Sequence, residues 1–434
     1  VDECQHAATL GLVQIFPRQL EAPCEVFPVS RTAVVGRAVE VDIRIADGSV
    51  SRRHARVGRN GLGLRVEDLG SSHGTFVDGR RVGSGGAELQ VGSLLRVGET
   101  LLLASADIAT YTLPPRQISG SFLGLARDVW GGAALTDVFA QASRLASLSQ
   151  SVLILGESGS GKEAVARLVH ALRDKPGPFV GINVAAIPEP LFESELFGHV
   201  RGAFTGAVQS NLGAFRQAHG GVLFLDEIGD LKRDLQVKLL RAIDQMRVRP
   251  VGASEDVPVE VRIIAATSRN LPAMCEADAF RADLYYRLAG ALIVVPPLRE
   301  RRDEVVALTL LTLRRLEPSF RIEVDAVEML CRYGWEGNVR ELEHAVNQAV
   351  VLALSRGGRV LACRDFSARV QQQAAGEAEQ LRPSDLTREQ LCTVMQGAGG
   401  NAMLAAKRLG ISRASLYLLF KRHAIEPGAL RNRS

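Results

Sequence analysis

The run "LILGESGSGKE" (153–163) holds Gly156, Gly161 and Lys162 at G-x-x-x-x-G-K spacing, directly after an apolar stretch. Glycines at those points let backbone N–H groups curl round phosphate oxygens. A lysine there sets a positive charge beside the β and γ phosphates, and the N-terminus of the following helix favours an anion. Glu163 stands where a Ser or Thr hydroxyl commonly binds magnesium, so other oxygens or water must serve. Further on, "GGVLFLDEIGDL" is an apolar strand ending in Asp226 and Glu227. Carboxylates at the C-terminal tip of a buried strand lie where ligands bind in open α/β sheets. Asp226 can hold Mg2+ there, and Glu227 can orient or deprotonate an attacking water. "FRADLYYRLAG" adds Arg281 and Arg287, six apart in a helical stretch, and "WEGNVRELEHAV" adds Arg340 near a helix start. A guanidinium that reaches a γ-phosphate speeds phosphoryl transfer, although arginines on helices also serve as surface ion-pair partners.

These groups need a parallel sheet to hold them. From about residue 121, the apolar runs "SVLILG", "PFVGINV", "GGVLFLDEIG" and "VEVRIIAATS" alternate with helical patterns. Such runs, buried on both faces, predict α/β units. After "VVPPLRERRDEV" the pattern is helical to about 365. Before 108 the texture differs: "RTAVVGR", "LGLRVEDLG", "GTFVDGRRV" and "SLLRVGETLLLAS" are short alternating runs broken by turn residues. They predict an all-β sandwich. Two polar stretches, "TLPPRQISGS" and "ARVQQQAAGEAEQLRPSD", read as linkers. The expected organisation is a sandwich over 1–110, a linker over 111–120, an α/β module over 121–292, helices over 293–365, a linker over 366–383 and a basic helical end over 384–434.

Within 121–365 the markers "GESGSGKE", "ELFGHVRGAFTGA", "LFLDEIGDL", "FRADLYYRL", "PPLRER" and "GNVREL" occur in the order found in the AAA+ domain of bacterial enhancer-binding proteins, which that segment resembles. Members of that family activate sigma-54 RNA polymerase. The resemblance implies an ATPase that takes ATP and Mg2+. Residues Gly156, Glu157, Ser158, Gly159, Ser160, Gly161, Lys162 and Glu163 would form its phosphate loop, and a Glu at 163 also fits the family. It implies that Asn183 pairs with Glu227, that Arg340 senses nucleotide, and that Arg281 and Arg287 act on a neighbouring subunit's ATP. Fingers acting in trans imply a ring, usually a hexamer. Gly202, Ala203, Phe204, Thr205, Gly206 and Ala207 resemble the surface loop pressed against sigma-54. Flanking glycines allow swing, and Phe204 offers an apolar anchor. Val200, Ser268 and Glu336 depart from the family's pattern, the first two at points that couple ATP to the loop.

The two ends carry their own motifs. "VVGRAVEVDIRIADGSVSRRHARV" and "DLGSSHGTFVDG" resemble a forkhead-associated (FHA) domain, a phosphothreonine-peptide binder. That resemblance makes Arg37, Ser51, Arg52 and Ser72 the candidate phosphate contacts, with His54 as an internal buttress. His73 replaces the Asn that usually holds the peptide backbone. The expected partner is a phosphothreonine protein or a Ser/Thr kinase, and ligand binding is expected to shift assembly. At the other end, "GGNAMLAAKRLGISRASLYLLFKRHAI" reads as helix, Gly-containing turn, helix. It resembles a Fis-type helix-turn-helix for double-stranded DNA at upstream activating sites. Arg413, Ser415, Tyr417, Lys421 and Arg422 would contact it.

Composition sets the outer bounds. The 434 residues are 46% hydrophobic and 23% charged, ordinary for a globular chain, and the net charge of +4 matters only where it concentrates. The six cysteines show neither C-x-x-C pairs nor zinc spacing, which favours reduced thiols. No run approaches a membrane span and no signal-peptide pattern opens the chain, so a cytoplasmic protein without membrane partners is expected. Two other readings use the same residues: a non-catalytic DNA-binding repressor or scaffold that keeps the fold, and an AAA+ unfoldase with other clients.

Overall fold

A computed structural model describes residues 9–17, 24–61, 63–111, 116–118, 129–131, 133–173, 177–379, Leu391 and Met395. The helix-turn-helix contacts expected at Arg413, Ser415, Tyr417, Lys421 and Arg422 lie outside the described residues.

The alternating N-terminal runs form eleven strands: β1 Gly11–Phe16, β2 Val26–Pro28, β3 Thr32–Gly36, β4 Ile43–Arg44, β5 Ala55–Asn60, β6 Gly63–Asp68, β7 Thr75–Val77, β8 Arg80–Arg81, β9 Ala87–Leu89, β10 Leu94–Val97 and β11 Thr100–Ser105. They make two sheets, ordered β2-β1-β11-β10-β7-β8 and β4-β3-β5-β6-β9. Leu12, Leu95 and Leu102 from the first sheet and Val35, Val57 and Val66 from the second share the core between them.

The expected linker over 111–120 contains a strand. β12, Arg116–Ile118, pairs antiparallel with β13, Val129–Gly131. The α/β module follows with α1 Thr136–Ala146, β14 Val152–Leu155, α2 Lys162–Ala171, β15 Phe179–Asn183, α3 Glu189–Phe197, α4 Ala214–Gln217, β16 Val222–Asp226, α5 Arg233–Gln245, β17 Arg247–Val248, β18 Val257–Pro258, β19 Arg262–Thr267, α6 Leu271–Glu276, α7 Ala282–Leu288 and β20 Ala291–Val294. Five of these strands form one parallel sheet in the order β15-β16-β19-β14-β20. Its central strands read almost wholly apolar because helices cover both faces.

A helical lid then packs α8 Arg302–Leu316, α9 Val324–Arg332 and α10 Asn338–Ser355 together. The expected linker over 366–383 is a helix instead over Ala368–Glu379, where Val370 and Ala374 join the lid core. Its Ala, Gln and Glu are strong helix formers, so propensity overrides the polar, loop-like composition. No described helix is long and apolar enough to cross a membrane.

Sandwich and lid belong to one unit, Val1–Ala374. The first sheet is apolar on both faces. Val13, Ile15, Leu94, Leu101 and Leu103 point away from the sandwich core into a cluster with Val305, Val306, Val327, Leu330 and Trp335 of the lid region. Each such side chain buried is worth about 1.5–3 kcal/mol. "TLLLAS" is therefore not an alternating half-buried strand: its three leucines serve two cores.

Candidate active site and its loops

The phosphate loop leaves β14 and enters α2. Gly159 and Gly161 have φ of 74° and 104°, a region L side chains avoid. Gly159 also lies against the lid, where a Cβ would come within 2.5 Å of the Gly337 carbonyl. Lys162 is buried, and its Nζ donates to the carbonyls of Gly156 and Glu157 and to Glu227 Oε1, 3.2 Å away. Ser160 Oγ is buried with no hydrogen-bond partner among the described residues. A hydroxyl and an ammonium concentrated at a helix N-terminus make a seat for phosphate oxygens.

Asp226 and Glu227 sit at the tip of β16. Burial, then the adjacent Glu227 carboxylate, pushes the Asp226 carboxyl above its ordinary value. Glu227 adopts φ 52°, which is strained for a non-glycine residue and aims its carboxylate back across the sheet. There Ser268, just past β19, donates both its backbone N–H and its hydroxyl to Glu227 Oε2, each at 3.1 Å. The resemblance implied Asn183 as Glu227's partner. In this structure Asn183 Oδ1 accepts from Ala185 N at 3.0 Å, and the glutamate is held by Ser268 and Lys162. Register explains the geometry. Asn183 lies beside Asp226 on the neighbouring strand, while the end of β19 reaches Glu227.

Among the residues lining the cleft are Ser158, Gly159, Ser160, Gly161, Lys162, Glu163, Asn183, Asp226, Glu227 and Arg340. Glu157 turns to the lid instead: Arg299 donates to it in bidentate fashion at 2.7 and 2.8 Å, and Asn338 Nδ2 at 3.1 Å. Its carboxyl is held below the ordinary value chiefly by Arg299. The apolar wall of Leu135, Phe139, Leu308 and Leu311 was not singled out from sequence, since plain core leucines carry no signal. Nor was the buried pair of Arg301 and Glu304. Arg301 Nη1 donates to Glu304 at 3.0 Å, and its Nη2 donates to the Ser160 carbonyl at 3.0 Å. The motif "PPLRER" contained that arginine without revealing its burial.

Arg281 and Arg287 do not enter their own chain's cleft. Arg281 lies just before α7 rather than within a helix, and is forked onto Asp283 at 2.6 and 3.0 Å. Arg287 is exposed in the last turn of α7 and pairs with Asp244 at 3.0 Å. The 202–207 loop is a closed turn. Gly202 N donates to Ala207 O at 2.9 Å and Ala207 N to Phe204 O at 3.0 Å. Phe204 is 38% exposed, and its ring stands edge-on to His199 at 5.0 Å. His199, not anticipated from sequence, bonds Ser194 and the Gln209 carbonyl and bridges to Asn211 and Val251. A stem this well tied beneath an exposed aromatic gives the turn a firm base.

In the sandwich, Arg37, Arg52, Ser72 and His73 are exposed on loops at one end. Ser51 Oγ accepts from Ser72 N at 3.1 Å, and His73 Nδ1 lies 2.9 Å from the Ser49 carbonyl. Arg37 Nε donates to the Val50 carbonyl at 3.1 Å. His54 is fully buried. Its Nδ1 accepts from Ser51 N, so Nε2 carries the proton and donates to the Gly74 carbonyl at 3.2 Å. It thus ties the two loops together, as expected of a buttress. Burial depresses the His54 pKa. The neutral ring therefore contributes stability above the unfolded value of about 6.5, and that contribution is lost as pH falls below it. Thermal unfolding of the full chain should show the sandwich weakening between pH 7.5 and 5.5, and His54→Gln should flatten that dependence.

A parallel sheet of this order, a phosphate loop, a strand-end carboxylate pair and a helical lid over the cleft define a P-loop ATPase of the AAA+ class. Residues 130–294 match the family described as Sigma-54 interaction domain, 33–98 the FHA domain, and 299–383 the AAA+ ATPase lid domain. The chain is 36% identical to the transcriptional regulatory protein ZraR of Salmonella typhimurium over 86% of each chain. It is 42% identical to GlrR of Escherichia coli over 66% of this chain and 65% of that one. It is similar to the crystal structure of NtrX from Brucella abortus in complex with ATP, at 30% identity, covering 67% of this chain and 68% of that one, with a TM-score of 0.50. The chain belongs to the sigma-54-dependent transcriptional regulators, and it is an FHA-bearing AAA+ ATPase of that family.

Proposed function

We propose that the protein opens promoters held by sigma-54 RNA polymerase, acting in the cytoplasm as an ATP-driven ring bound to upstream DNA. In this reading residues 121–365 assemble into a hexamer and 384–434 hold the DNA site. The sandwich over 1–110 places the complex under control of a phosphothreonine protein or a Ser/Thr kinase. The observation that carries the reading is the exposed Phe204 turn, built on the same α/β module as the Lys162–Glu227–Ser268 cleft.

The chemistry follows from the side chains. Lys162 and the Gly156–Gly161 backbone bind the phosphates, and Arg340 reaches them from the lid. Glu227 orients water for attack on the γ-phosphorus. Asp226 would hold Mg2+, which would supply charge neutralisation at the phosphates. The raised Asp226 pKa extends to higher pH the range in which a proton would compete with Mg2+ for this carboxylate. Arg281 and Arg287, outside their own cleft, are available to a neighbour's. Ser268 releases Glu227 as nucleotide arrives, and that exchange is what moves the 202–207 turn against sigma-54.

Transcription in vitro from a sigma-54 promoter is the direct test. Transcripts should appear with ATP and be absent with a non-hydrolysable analogue. Equal output with the analogue would overturn the reading and favour a scaffold.

A further inference from the structure

The FHA sandwich is seated on the ATPase lid by a shared core, and one of its contacts there is made by the residue next to a cleft-lining arginine. Arg96 on β10 donates to Glu328 at 2.8 Å and pairs with Asp325 at 3.1 Å, both on α9. Glu328 is almost wholly buried, and Arg96 meets its Oε2 across the interface. At the other edge, Arg302 opens α8 and donates to Asp78 Oδ1 at 3.2 Å and to the Gly92 carbonyl at 3.1 Å.

The position of Asp78 matters. Ser72 and His73 lie on the loop that leads into β7, and β7 is three residues long and ends at Val77. Asp78 and Gly79 then form the β7–β8 turn, with φ of 45° and 77°. The position of Arg302 matters equally. Its neighbour Arg301 is buried and donates to the Ser160 carbonyl of the phosphate loop. Adjacent arginines at the start of one helix therefore hold the sandwich on one side and the nucleotide cleft on the other.

We propose that phosphothreonine binding at the Ser51–Ser72 loops changes nucleotide affinity in the same chain through the Asp78–Arg302 contact on the lid. The proposal rests on the phosphopeptide reading of the sandwich, and goes beyond it by naming the lid as the element acted on. The coupling is reciprocal: nucleotide must change phosphopeptide affinity by the same factor. It also requires the sandwich to travel with the lid rather than swing on a tether.

The test uses the full chain, a degenerate phosphothreonine peptide pool, its unphosphorylated counterpart, and a fluorescent ADP. In the wild type the phosphorylated pool shifts the ADP dissociation constant by about fivefold or more, and ADP shifts the peptide constant equally. Asp78→Asn suits the positive φ, since Asn tolerates it, and removes the charge that Arg302 meets. It keeps peptide affinity within about twofold while the coupling collapses, and Arg302→Ala does the same. Full coupling in both variants overturns the proposal, as does peptide binding to the wild type with no effect on ADP. Should the pool fail to bind the wild type, the phosphopeptide reading falls separately. The lid contact is then judged by the two variants alone: a shift of about threefold in ADP affinity upholds it, and unchanged affinity ends it.

Discussion

Glu227→Gln leaves ATP bound and uncleaved. Turnover should fall about 10²–10⁴-fold, the range carried by a positioned base in proton transfer. The amide matches the carboxylate in size, and its oxygen can still accept from Ser268 N and Oγ. Lys162 loses its counter-charge but keeps the Gly156 and Glu157 carbonyls. A lysine released from an ion pair meets the incoming phosphates with less competition. Nucleotide affinity should therefore hold or rise while catalysis collapses. Phosphate release measured beside fluorescent ATP binding separates the two effects. A variant that turned over ATP within about tenfold of wild type would remove Glu227 from the role of base. Ser268→Ala provides a graded companion. It removes one of the two bonds to Oε2 and keeps the backbone one, so its effect on turnover should be far smaller.

Phe204→Ala uncouples hydrolysis from promoter opening. Truncating an aromatic anchor at the centre of an interface costs about 2–4 kcal/mol, or roughly 30- to 1000-fold in affinity for sigma-54. The free protein should barely register the change. Phe204 is already partly exposed, and its packing is an edge contact with His199. The loop closure rests on backbone bonds from Gly202 and Ala207 that need no side chain. ATP turnover should stay within about twofold of wild type, since nothing in the cleft is touched. Transcription from a sigma-54 promoter and capture of sigma-54 should both be lost. Thr205→Ala, which deletes only a hydroxyl, should impair transcription with ATPase retained. Normal transcription by Phe204→Ala would show that the turn is a structural hairpin and that polymerase is gripped elsewhere.

The two variants probe two sites of one α/β module, which follow each other closely along the chain. β16 carries Asp226 and Glu227, and β15 carries Asn183 beside them. The segment after β15 leads through α3 to His199 and the 202–207 turn. Glu227 is held by Ser268 and Lys162, and the strand that feeds the turn is the one paired with β16.

Much of this was legible in the letters, because local chemistry leaves local marks. Phosphate loops need glycines at set spacing, and buried parallel strands need unbroken apolar runs. A carboxylate pair at a strand tip and a Gly-Ala-Phe-Thr-Gly turn were likewise readable with no neighbours in view. Three things were not. β16 has two neighbours, and Glu227 meets Ser268 at the end of β19 while Asn183 on β15 turns to Ala185 N, a matter of how the strand ends are placed rather than of residue type. Residues 368–379 looked like a polar tether, yet Val370 and Ala374 find a lid core to enter. The seating of the sandwich on the lid was the least visible. Leu101 and Leu103 read as ordinary strand residues, and the surface they meet belongs to a segment some 200 positions away. Sequence alone determined which side chains could bind phosphate, activate a water against it or present an aromatic ring, since those depend on type and near spacing. Only the tertiary structure decided which apolar faces meet and which buried charges pair, because burial is a property of surfaces brought together from distant parts of the chain.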